Sequence, residues 1–151
     1  MNTTVFRTIT NIITFIILAV FIVYLIMEWK NVPDVVATHF GVSGDANAYG
    51  DKKNLIIISV VAVITCVGLA IAECFPRIWN FPVKVTAKNR GRLVQDGFIM
   101  LGVLKILMAA MFAYIGFCMI NGRGIGWPMY VLLGLVIIDT IGGTIKMIKD
   151  R

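Results

Sequence analysis

Charged side chains are scarce in this sequence: they make up 15% of its 151 residues, while hydrophobic residues reach 59%. An ordinary soluble domain is about a quarter charged, so the balance excludes a typical globular protein with one large core. Histidine occurs once, as His39. That excludes the two-histidine helical motifs, such as HExxH, that build zinc enzymes. The three cysteines, Cys66, Cys74 and Cys118, contain no CxxC pair and supply no disulfide framework. They read as small apolar fillers in or beside apolar blocks. The four prolines serve as punctuation: Pro33 breaks away from the first helix, Pro128 belongs to a tight turn, and Pro76 and Pro82 mark one polar connection.

What remains is long apolar runs. Four blocks, at about residues 8–27, 55–72, 98–120 and 129–145, each approach the ~20 residues that a helix needs to cross a bilayer. They lack the alternation of a membrane barrel. The sequence therefore predicts an all-α membrane fold. A four-transmembrane-helix bundle forms a single multi-pass membrane domain over residues 1–151. The first block is longer than a signal-peptide core and has no small-residue cleavage site after it, so it is expected to be retained.

The net charge of +6 has a topological meaning here. Most basic residues flank apolar blocks, which suits lipid headgroups and gives no reason to expect nucleic acid. Nine Lys and Arg fall in the N-terminal tail, the second connection and the C-terminal tail, against four in the other two connections. Both termini are thus expected in the cytoplasm of a cell-membrane protein. The short "NGRGIGWP" turn makes the third and fourth helices antiparallel neighbours.

Two ionisable residues, Lys105 and Asp139, lie well inside apolar blocks. Each costs about 2.5–3.5 kcal/mol at a bilayer centre unless paired or wet. Both are expected about 10 Å from the cytoplasmic end. Lys105 shares a stripe with Gly102, Ala109, Ala113 and Gly116, and Asp139 shares one with Gly142, Gly143 and Lys146. Small residues let helices approach, so a Lys105–Asp139 pair is the expectation. The competing picture is Lys105 snorkelling to the interface. A pair of this kind chiefly fixes packing; the functional alternative is an ion or proton relay in a small transporter or channel component.

The outer loop, residues 28–54, is expected to be a compact, ordered cap. Asp51 is placed to cap the second helix, and Trp29, Phe40 and Tyr49 suit an aromatic belt. His39 shares this loop with Asp34, Asp45 and Asp51. His39 and Asp45 are weak metal candidates, and Thr38 or Ser43 with His39 a weak nucleophile–base arrangement. Sensing pH and binding a peptide are alternative roles for the imidazole; in the simplest reading it hydrogen-bonds loop backbone. In the inner connection, Thr86 is placed to cap a short interfacial helix, with Trp79 and Phe81 at headgroup level.

Two motifs carry a family resemblance. "VPDVVATHFGVSGDANAYGDK" resembles the P-x-x-x-P-T-H-F-x-x-x-G signature of a small bacterial and archaeal membrane domain of unknown function. That domain is found at the N-terminus of the immunity proteins against the sporulation-delaying killer peptide. Pro33, Thr38, His39, Phe40, Gly44, Tyr49, Gly50 and Lys52 match; Ala37 replaces a proline, and Asn47 stands where aspartate is usual. "FPVKVTAKN" is similar to a second segment, through Pro82, Val83, Lys84, Thr86 and Asn89. The resemblance implies envelope peptide resistance or sensing, with an extracytoplasmic peptide or a membrane protein as partner. No catalytic residue or cofactor follows from it. The expected function is non-enzymatic, with a homo-oligomer and, as a rival class, a metal-dependent membrane enzyme kept as alternatives.

Overall fold

A computed structural model describes residues 2–149. Helix α1 spans Thr3–Glu28 and is followed by strands β1, Val35–Phe40, and β2, Ala46–Asp51. Helix α2 spans Asn54–Ala72, a 3-10 turn covers Pro76–Ile78, and α3 and α4 span Arg90–Ile120 and Gly126–Lys149. All four α-helices are long and apolar enough to cross a membrane. Their outward surfaces carry exposed Val20, Ile26, Ile57, Ile64 and Ile138, a surface suited to lipid rather than water. The chain is a mostly helical, multi-pass membrane protein. The all-α expectation is corrected by one element: the connection between α1 and α2 contains an antiparallel β-hairpin.

Helix α3 is the hub and packs on each of the other helices, while α4 leans chiefly on α3. The buried face of α1, formed by Thr10, Thr14, Leu18, Phe21 and Leu25, recurs every three or four residues. It meets the small residues of α3. A Cβ on Gly116 would lie 2.2 Å from the Phe21 ring, and one on Gly102 would lie 2.8 Å from Phe6. The small-residue stripe of α3 is therefore a packing face, directed at α1 and α2. The hydroxyls buried along it bond within their own helices: Thr14 donates to the Thr10 carbonyl at 2.7 Å, and Ser59 to that of Leu55 at 2.7 Å.

The helices run past the apolar blocks. α1 begins five residues earlier than the block at 8–27, capped by the Asn2 side chain, which accepts from the Thr4 and Val5 amides. α3 begins at Arg90 and is 31 residues long, about 46 Å. A reciprocal pair starts it. The Asn89 amide donates to Thr86 Oγ1 at 3.3 Å, and the Thr86 amide donates to Asn89 Oδ1 at 2.7 Å. This is the geometry of a capping box, with asparagine in the place of the usual Glu or Gln.

Candidate functional site

The hairpin gathers most of the first motif. β1 and β2 pair in the register Val36↔Gly50, Ala37↔Tyr49, His39↔Ala48 and Phe40↔Ala46. Thr38 and Asn47 are therefore extra residues, one on each strand. Bulges re-aim side chains, and here the His39 ring and Asn47 Oδ1 hydrogen-bond to each other across the strands. The ring thus bonds a side chain rather than loop backbone. Gly50 faces Thr38; a Cβ there would lie 3.1 Å from Thr38 Cγ2. Lys52 pairs with Asp34 at 2.8 Å, and its ammonium lies 5.5 Å from the Trp29 ring centroid. That hydrogen bond and charge hold the Asp34 carboxyl below the usual carboxylate range. Asp51 Oδ1 accepts the Lys53 amide at 2.7 Å in the turn just before α2. Pro33 precedes β1, and Val36, Phe40 and Leu55 pack with Phe21, Leu25 and Met119 beneath the sheet.

The hairpin tip docks on the α3–α4 turn through backbone. The Ile125 amide donates to the Gly44 carbonyl at 2.8 Å. Gly44 has a φ of 86°, and a Cβ on it would lie 2.7 Å from the Gly126 nitrogen. Only glycine fits both demands. The Tyr130 hydroxyl donates to the Val42 carbonyl beside this contact. Between hairpin and turn lies a cavity of about 290 Å³, lined by Ala37, Asp45 and Tyr49 on one side and Met119, Arg123 and Gly124 on the other. His39 is not among its walls. No group of three or more His, Cys, Asp or Glu side chains gathers into a metal site among the described residues.

The bundle end that carries the termini is built from charge. Lys105 does not pair with Asp139. Its ammonium donates to Glu73 Oε1 at 2.7 Å and also to Asn11 Oδ1. Lys105 and Glu73 are both completely buried, so snorkelling is excluded as well. Arg7 Nε lies 3.7 Å from Glu73 Oε2, and the guanidinium lies 4.9 Å from the Phe98 ring centroid. The physical reason is azimuth. Lys105 has the right depth for Asp139, but nine residues at about 100° each put it half a turn from Asp96, whose face meets α4. Asp96 pairs with Lys146 at 2.6 Å. Asp139 Oδ2 is buried without a hydrogen-bond partner.

The second motif organises the connection beside this cluster. Asn89 Nδ2 donates to the Lys84 carbonyl at 3.1 Å, which locks the chain after Pro82 into the capping box. Trp79 Nε1 donates to the Ala72 carbonyl at 2.9 Å, and its ring lies across Gly97 and edge-on to Phe98. Sequence reasoning missed Arg7, Asn11, Glu73 and Asp96. Their signal was present but weak: Glu73 directly follows an apolar run, and an acidic residue there is costly unless a cation meets it.

Comparison with known proteins finds a family match over part of the chain. Residues 15–65, from α1 through the hairpin into α2, match a family described as "Domain of unknown function (DUF1648)". The chain is also similar to an uncharacterized protein of Archaeoglobus fulgidus, at 22% identity over 111 residues. The match covers 64% of this chain and 61% of that protein. No solved structure matches the chain. The family model thus covers the second half of α1, the hairpin and the first part of α2, and α3, α4 and the second motif lie outside it.

Proposed function

We propose that this chain is a non-enzymatic cell-membrane protein, with both termini cytoplasmic, that recognises a peptide at its outer face. The observation that carries the reading is the hairpin docked on the α3–α4 turn over a cavity of about 290 Å³. A two-stranded sheet has two edges, and each presents unpaired backbone groups. An extended peptide can add to such an edge, while an adjacent pocket takes one of its side chains. Asp45 and Arg123 at the cavity offer both signs of charge, and Tyr49, 66% exposed, offers an aromatic surface. The excess of Lys and Arg at the terminal end supports the orientation. The resemblance to killer-peptide immunity proteins supports the class of ligand.

The test is a deletion strain challenged with a panel of membrane-active peptides. Loss of tolerance to at least one, restored by the wild-type chain but not by Tyr49→Asp, is the expected outcome. Unchanged growth against every peptide would sink the reading. A periplasmic-type reporter fused after Gly50 should be active; an inactive one would invert the orientation.

One observation favours a second reading, an ion-coupled transporter: Lys105 and Glu73 are ionisable, buried and joined. Ion flux in liposomes that is abolished by the isosteric Glu73→Gln would support it. Absence of flux from the wild-type protein would remove it.

A further inference from the structure

We propose that the cavity between α3 and α4 near the terminal end binds a primary ammonium group on a short alkyl arm. This inference does not depend on the peptide reading. The cavity is about 240 Å³ and is lined by Asp96, Asp139 and Lys146 together with Ile99, Met100 and Ile138. Asp96 is only 5% exposed. Its Oδ1 is held by Lys146 at 2.6 Å, but its Oδ2 has no partner. Asp139 presents a second buried Oδ2 with no partner. Two carboxylates against one ammonium leave the site with a formal charge of −1 and two free acceptors in a membrane-spanning segment. Buried carboxylate oxygens of this kind favour a cation that donates hydrogen bonds.

The donor set selects the kind of cation. A hard divalent ion takes six or more oxygen ligands, most of which would have to be water here, because the cavity walls are largely apolar and the helix carbonyls are committed to their own ladders. An ammonium carries three N–H donors and is satisfied by far fewer acceptors. The volume is several times the ~30 Å³ share of one water, which leaves room for an alkyl arm along Ile99 and Ile138. Gly143 makes the site possible. A Cβ there would lie 2.9 Å from Met100 Sδ and crowd the Met100 side chain that lines the cavity.

Two sources offer this chemistry: the ethanolamine headgroup of a phospholipid, and a free alkyl diamine. The Lys146 side chain, 59% exposed at the same cavity, is placed to meet a lipid phosphate. Purified full-length protein is titrated with ethanolamine and choline phospholipids of identical chains, and separately with 1,4-diaminobutane, and bound species are read by native mass spectrometry. The expected result is at least a tenfold preference for the ethanolamine lipid, or saturable diamine binding. Asp139→Asn and Ile99→Trp should each abolish it. Asp139→Asn removes a buried charge and should fold; should it not, Ile99→Trp, which fills the cavity and keeps both carboxylates, decides alone. Lys146→Ala should weaken the lipid tenfold if the lipid is the source and spare the diamine. Equal retention of the two lipids with no diamine binding, or undiminished binding in the filled-cavity variant, would overturn the proposal.

Discussion

The two ends of the bundle are held together by different chemistry. At the hairpin end, backbone meets backbone: the Gly44 carbonyl accepts from Ile125, and glycines allow the approach. At the terminal end, side chains from α1, α2 and α3 meet in a buried charge cluster, Arg7, Glu73, Lys105 and Asn11. Backbone contacts depend on shape and tolerate change at the side chains that point away. Buried charges depend on one another, because each is costly without its partner. The first kind of end depends on glycine at the contact, and the second on a complete set of charged partners.

The largest expected effect breaks the base. Glu73→Ala leaves Lys105 and Arg7 uncompensated and should cost about 3–5 kcal/mol. Unfolding in mixed micelles, followed by circular dichroism, measures it. Pairing Glu73→Leu with Lys105→Met should recover most of the loss; no recovery would show that the pair is not the cause.

Crowding at glycine comes next and sharpens the contrast. Gly44→Ala forces a left-handed residue against Gly126 and should cost about 1–3 kcal/mol. Its signature is local: faster hydrogen exchange at the Ile125 amide, with the charged end unaltered. Equal loosening at both ends would mean that the two are not independent.

A smaller effect is expected at the capping box. Thr86→Ala should cost about 0.5–2 kcal/mol and fray the start of α3, read as faster exchange at Asn89 and Arg90. Unchanged exchange there would show that the box does not hold the helix start. The smallest effect is a pH dependence at the hairpin. Asp34 has a folded pKa below its unfolded value, so its contribution is present above the ordinary carboxylate range and is lost as pH falls through the depressed value. The side chain is exposed, and the effect is correspondingly weak. A carboxyl titration by NMR should show the depression in the wild type and none in Lys52→Met. A normal Asp34 titration in the wild type would refute the pairing.

Much of the helical architecture was legible in the sequence, because a bilayer demands long apolar runs and these announce themselves. Helix ends were less legible. The first turns of α3, "RGRLVQDG", are polar, and only the Thr86–Asn89 spacing hints that the helix has already begun. The stretch around Val35 to Phe40 has strand-like residues, but "ANAYGD" does not, and it becomes β2 by pairing with β1. The partner of Lys105 was misread because depth along a helix follows from counting, whereas azimuth depends on which neighbour each face meets. Three elements build the Lys105 cluster, and no local pattern links Asn11, Glu73 and Lys105.

The paired bulges have a consequence for how this loop can change length. From Val36 to Phe40 and from Ala46 to Gly50 the two strands take the same number of steps, because Thr38 on one is matched by Asn47 on the other. Equal arc lengths keep the tip in line with the α3–α4 turn. Losing one of the two residues makes the arms unequal, and the tip tilts off its seat. Losing both leaves a plain, straight ladder that still reaches. Length changes in this hairpin are therefore tolerated in matched pairs.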